Sequence, residues 1–219
     1  MSDQLRFSRF LWPNSWRLTV LVERNPEHIS HAGCDRGNSV FDLRHVFVTS
    51  AVYDLPFGRA RKWLSGNSAL DLALGGWQLG GIVTMRSGVP FTPLVSTDIA
   101  NVGGASHPDY LRNGNLPGNQ RSINRWFDVS AFAIPTLYMY GTAGRNILYG
   151  PRFHSLDAKL GKNFLLNERV RLEFRTEFFN ATNTPHFNLP NANINQPAGG
   201  KISSAMDPRQ MQFGLKVVY

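Results

Sequence analysis

Two stretches near the carboxyl end constrain this chain most. In Glu168–Phe179, Val170, Leu172, Phe174, Thr176 and Phe178 fall on one side of an extended strand, and Arg169, Arg171, Glu173, Arg175 and Glu177 on the other. Five charges on one face cannot enter a packed core, because each would need a partner or suffer a desolvation penalty. They must meet water or pair across a wet cavity. As a helix the segment would scatter its charges all round. In Arg209–Tyr219 the rule recurs: Met211, Phe213, Leu215, Val217 and Tyr219 alternate with Gln210, Gln212, Gly214 and Lys216. Period-two alternation of this kind builds a sheet with one apolar and one wet face.

The pattern extends upstream. Ser155–Phe164 places Leu156, Ala158, Leu160 and Phe164 opposite Ser155, Asp157, Lys159, Gly161 and Asn163, with Lys162 interrupting the apolar side. Trp77, Leu79, Gly81, Val83 and Met85 alternate with Gln78, Gly80, Thr84 and Arg86, Ile82 being the exception. Arg44–Pro56 reads as a further strand with both faces partly apolar, and Trp16–Val22 as a sixth. The connections carry as much information as the strands. Leu166-Asn167-Glu168 is a tight hairpin turn, whereas 87–152 and 180–208 are long and rich in Asn, Gly, Pro and Ser. Loops that long argue against a compact soluble domain. A membrane barrel has long external loops and short periplasmic turns, and favours aromatic rings at the interface, as at Tyr219. The connection 59–76 would then be a periplasmic turn of unusual length.

Composition agrees with a barrel wall. Mean hydropathy is −0.25 and only 17% of residues are charged, yet no run reaches the ~18 apolar residues of a membrane helix. A wall that hides its apolar residues at every second position escapes averaged hydropathy. The net charge of +8 is spread along the chain, and the cluster Arg59-Ala-Arg61-Lys62 is too short to imply nucleic-acid binding. Cys34 is alone, so no internal disulfide forms. Met1–Pro13 lacks the apolar core of a secretory signal, so a chain with an outer-membrane address is expected to be missing its true beginning.

Several short segments follow one another in order: Phe41-Asp-Leu-Arg-His-Val-Phe-Val, Tyr53-Asp-Leu-Pro-Phe-Gly, Gly75-Gly-Trp-Gln-Leu-Gly-Gly-Ile and Ser87-Gly-Val-Pro-Phe. Then come Trp126-Phe-Asp-Val-Ser-Ala-Phe, Gly144-Arg-Asn-Ile-Leu-Tyr-Gly-Pro, Glu177-Phe-Phe-Asn-Ala-Thr-Asn and the final strand. In series they resemble the C-terminal part of TonB-dependent outer-membrane receptors of the Oar-like type. The resemblance implies a barrel of about 22 strands with a plugged lumen, to which this chain contributes five or six. It also implies a non-catalytic parent that imports scarce ligands such as siderophores or oligosaccharides. The plug, the signal sequence and the segment that meets the energy-coupling protein have no counterpart here, so a fragment is expected. Residues 1–24 do not look like family sequence.

Candidate site residues are few. In the family a terminal aromatic strand is read by the barrel-assembly machinery, which points to Phe213 and Tyr219. Trp126, Phe127, Phe132, Tyr138 and Tyr140 cluster in the 87–152 loop, either as aromatic contacts for a ligand, with Trp126, Phe127, Tyr138 and Tyr140 as the candidates, or as rings that hold the loop against the rim. His28, His31, Cys34 and Asp35 have metal-like spacing but no second ligand pair. Asp98, Asp109 and Asp128 have no His or Ser placed beside them to complete a catalytic set. Gly199-Gly200-Lys201 lacks the rest of a phosphate loop.

The sequence therefore predicts an all-β chain: an uninterpretable segment over 1–24 with at most one strand, then a partial transmembrane β-barrel over 25–219. The predicted sheet is antiparallel and up-and-down, carries long external loops, and needs no cofactor, metal or nucleic acid. Its expected partners are outer-membrane lipid, the assembly machinery and the rest of a parent barrel. The competing expectation is a soluble β-sandwich that binds ligands through the 87–152 loop, since a sandwich also alternates.

Overall fold

The computed structural model describes residues 37–57, 75–101, 103–165 and 170–219, with backbone alone at 19–23 and at Leu165. The Leu166–Glu168 turn, most of 59–76, the Arg59–Lys62 cluster and the His28–Asp35 set lie outside the described residues.

Ten strands follow in chain order: β1 (Thr19–Glu23), β2 (Val46–Asp54), β3 (Trp77–Arg86), β4 (Pro90–Phe91) and β5 (Asp109–Tyr110). Then come β6 (Phe132–Ala133), β7 (Leu148–Tyr149), β8 (Phe153–Leu165), β9 (Arg171–Phe179) and β10 (Gln210–Val218). Six of them form one sheet in the order β1-β2-β3-β8-β9-β10, every neighbour antiparallel. The short pairs β4–β7 and β5–β6 lie inside the connection from β3 to β8. No α-helix occurs among the described residues.

Register shows why alternation was the right signal. One rung runs Phe213, Thr176, Leu160, Leu79, Tyr53 across five strands. The next rung on that face joins Leu215, Phe174, Lys162 and Trp77. The opposite face carries Gly214, Arg175, Gly161, Gln78 and Asp54 in one rung, and Gln212, Glu177, Lys159 and Gly80 in another. A one-residue slip at any pair would turn a whole strand's apolar residues to the wet side. On the wet face Glu173 pairs with Arg171 at 3.0 Å and Arg175 at 3.5 Å. Gln78 donates to Asp54 at 2.8 Å, and Gln212 donates to Glu177.

Among the described residues the sheet lacks the second layer that a sandwich needs. None of the buried apolar residues lies in the six-stranded sheet; all belong to its connections. Leu172 and Phe174 are half-buried and Phe213 is 67% exposed, so no second layer covers the apolar face among the described residues. β1 and β10 are the two edges of an open sheet.

The apolar face has a distinct end. Tyr53, Trp77, Phe164 and Tyr219 cluster where β2 leaves the sheet, β3 enters, and β8 and β10 finish. There the Lys162 ammonium lies 4.8 Å from the Trp77 ring centre and 4.7 Å from that of Phe164. Aromatic rings suit a membrane–water boundary, and the buried Lys162 is held between two of them by its cation–ring contacts. This explains the one charge that interrupts the apolar pattern.

At the opposite end the long connections gather. The stems of the β3–β8 connection meet at Gly88 and Gly150: a Cβ on Gly88 would collide with the Gly150 carbonyl oxygen, and the Gly150 amide donates to Val89 O at 2.9 Å. Asn180 and Asn183 turn the chain out of β9 with φ of 51° and 52°, a region that Asn tolerates better than most residues. The Asn180 amide donates to Asp157 at 2.9 Å, and its side-chain oxygen accepts from the Thr184 amide at 3.0 Å.

Candidate functional site: the external cap and the wet face

The connection from β3 to β8 forms its own small core. Phe91, Phe127, Ala131, Phe132, Ala143 and Leu148 are buried together, with Ala192 and Ile194 of the β9–β10 connection packed against them. Phe127 sits edge-on to Phe91 at 5.8 Å and to Phe132 at 6.2 Å, a favoured ring geometry. The two connections also share backbone hydrogen bonds: Leu94 N to Ala192 O, Ile194 N to Leu94 O, Trp126 N to Gly200 O and Ile202 N to Ile123 O. Residues 37–45 join through Tyr149, whose hydroxyl accepts from Arg44 at 2.6 Å and Asn38 at 3.0 Å. Three segments thus make one cap over one end of the sheet.

Polar side chains replace strand pairing in this cap. Asn115 donates to Ile147 O at 2.7 Å and accepts from the Tyr149 amide at 3.2 Å. Thr92 accepts from the Asn146 amide at 2.9 Å and donates to its side chain at 3.0 Å. Asp128 is a hub, accepting from Arg112 at 2.9 Å, Ser130 at 2.9 Å and Arg125 at 3.3 Å. Burial alone would raise its pKa. The Ser130 hydroxyl and the two guanidinium groups outweigh that and hold the carboxyl below its ordinary range. Burial, and then the charge of Arg152, lower the pKa of Arg121; its guanidinium lies 5.4 Å from the Trp126 ring centre.

The aromatic candidates separate cleanly. Phe127 is 1% exposed and sits in the cap core, so it has no open face for a ligand; its size is used to fill space. Trp126 is half-buried, and its ring nitrogen donates to Tyr149 O at 2.9 Å. Tyr138 and Tyr140 are exposed at 68% and 73%, with Leu137 and Met139 between and beside them equally open. Tyr138 has φ of 65°, whereas every other left-handed non-glycine among the described residues is Asn. The tip is held there by Tyr138 N to Ile99 O at 2.8 Å and Met139 N to Thr136 O at 3.0 Å. A bulky side chain in this region stores strain of about 1–3 kcal/mol, which is characteristic of contact sites. Phe213 and Tyr219 lie on the apolar side of the β10 edge, Tyr219 being 97% exposed.

Sequence reasoning missed one grouping. Arg86 ends β3 on the wet face, and its guanidinium lies 4.4 Å from the ring centre of Phe153, its register partner on β8. His186 stacks on the same phenyl group at 4.2 Å and donates through Nε2 to His154 O at 2.8 Å. Only the strand register brings Arg86 and Phe153 opposite each other; the position of His186 depends on the fold of the 180–209 connection.

An antiparallel sheet with one lipid-compatible face, one charged face and a folded cap at one end defines a transmembrane β-barrel wall. The family model described as an outer membrane beta barrel domain matches residues 9–212. The chain belongs to that family. The match begins upstream of residue 24, where β1 is already paired with β2. No curated protein and no solved structure matches the chain.

Proposed function

We propose that this chain is the C-terminal part of a TonB-dependent, Oar-like outer-membrane transporter, non-catalytic, whose parent imports scarce ligands such as siderophore complexes or oligosaccharides. The observation that carries this reading is the cap. All long described connections leave one end of the sheet and fold together over a charged, water-compatible face. The in-order family-like segments support the receptor type, and the unpaired edges of β1 and β10 leave room for the remaining strands of a larger barrel. In this reading the wet face lines the lumen, and Tyr138 and Tyr140 make first contact with a ligand outside the cell. β10, through Phe213 and Tyr219, is what the assembly machinery recognises.

Uptake assays test it. Cells that carry the gene should accumulate labelled ferric siderophore or oligosaccharide, and both gene deletion and collapse of the proton gradient should stop them. Uptake that continues without the gradient would instead describe a passive pore.

A further inference from the structure

The cap and the sheet enclose a cleft of about 120 Å³ at the outer end of the wet face, lined in part by Arg86, Arg152, Phe153, His186, Asn188 and Met206. No carboxylate lines it, and neither Arg86 nor Arg152 forms an ion pair with a described residue. Four other described arginines are paired. Arg112 and Arg125 are satisfied by Asp128, and Arg171 and Arg175 by Glu173. Arg86 lies over the Phe153 ring, on which the buried His186 also stacks. A third cation, Arg121, is near enough to Arg152 to feel its charge.

Two arginines without counter-charges among the described residues line one cleft on the wet face, an arrangement suited to an oxyanion. Guanidinium forks match carboxylate and phosphate oxygens in geometry and charge, and a low-dielectric wall strengthens the attraction. We propose that this cleft binds a carboxylate- or phosphate-bearing solute on its way into the lumen. This rests on the reading of the wet face as the lumen, and it favours anionic ligands over neutral oligosaccharides. Arg86 and Phe153 sit on the face opposite the apolar one, which favours a solute in the wet space over a lipid headgroup.

The test uses the full chain in neutral detergent, titrated calorimetrically with citrate and with maltotriose as an uncharged control. Citrate should bind and maltotriose should not. Arg86→Gln and Arg152→Gln should each weaken citrate about tenfold, the loss expected for one charge-assisted contact. Arg86→Lys should recover part of that loss, which separates charge from damage to the stack. Arg145→Gln, an exposed cap arginine outside the cleft, should change affinity less than twofold. Absence of citrate binding, equal binding of maltotriose, or an equal loss in Arg145→Gln would overturn the proposal. A parallel measurement isolates the reading beneath it. In a Cys34→Ser background, Thr84→Cys should react with a water-soluble thiol reagent and Val83→Cys should be shielded by detergent. The reverse pattern would overturn the lumen assignment itself, whereas the expected pattern without citrate binding would overturn the cleft alone.

Discussion

Asp128 and Tyr138 show how single residues set the behaviour of the cap. The folded state lowers the pKa of Asp128, so its contribution is complete above the ordinary value of 3.8 and disappears as pH falls through the lower, folded value. Hydrogen exchange over 112–130 should therefore accelerate on acidification below about pH 4, and Asp128→Asn should remove that pH dependence. Because Arg112 and Arg125 are largely exposed, the loss of stability in Asp128→Asn should stay near 1 kcal/mol. Tyr138 makes the opposite case. Tyr138→Gly relieves the left-handed backbone and should raise cap stability by about 1 kcal/mol, while ligand capture by whole cells declines. A variant that loses stability as well would show that the ring is a packing residue. Nothing in the sequence separated Tyr138 from Phe127, since both are aromatics in one loop. What divides them is a core assembled from residues as far apart as Phe91 and Ile194, which no local window contains.

The strands were legible because alternation is a local property. β3 and β10 run where the period-two pattern predicts, and β8 and β9 differ from it only at their ends. The cap was not legible for the converse reason. Its strands are pairs of two residues, and its order depends on Asn, Ser and Thr side chains that bond across loops. Sequence showed that 87–152 was long; it could not show that the segment was folded. The lipid face provides the sharpest test at this scale. Phe174→Arg puts a charge among Leu215, Trp77 and Lys162 on the apolar side, whereas Arg175→Ser alters the wet side. Because Phe174 shares a rung with Lys162 and Trp77 at the boundary, the first should destabilise the protein in bilayers by about 1 kcal/mol more than the second. Urea titration of both variants in lipid vesicles would measure it, and equal tolerance would count against a lipid-facing Phe174.

For the whole molecule, a sheet whose apolar face has no second layer among the described residues and whose two edges are open should not remain monomeric in water. Extracted without detergent the chain should sediment as aggregate. In detergent it should become monodisperse and keep its β-sheet circular dichroism. A monodisperse species in plain buffer would contradict an uncovered apolar face. The distribution of aromatic residues also orients the molecule: Trp77, Phe164 and Tyr219 mark one membrane boundary, and the cap rises beyond the other.

The pinch at Gly88 and Gly150 has a consequence for how such a protein can change over time. Everything from Pro90 to Tyr149 enters and leaves the wall through a neck only two backbones wide. Beyond the neck the segment is tied to the β9–β10 connection through Ala192, Ile194 and Gly200, so insertions, deletions or exchanges that spare those contacts leave the register of β3 against β8 undisturbed. The exterior can be rewritten while the staves of the cask stay in place.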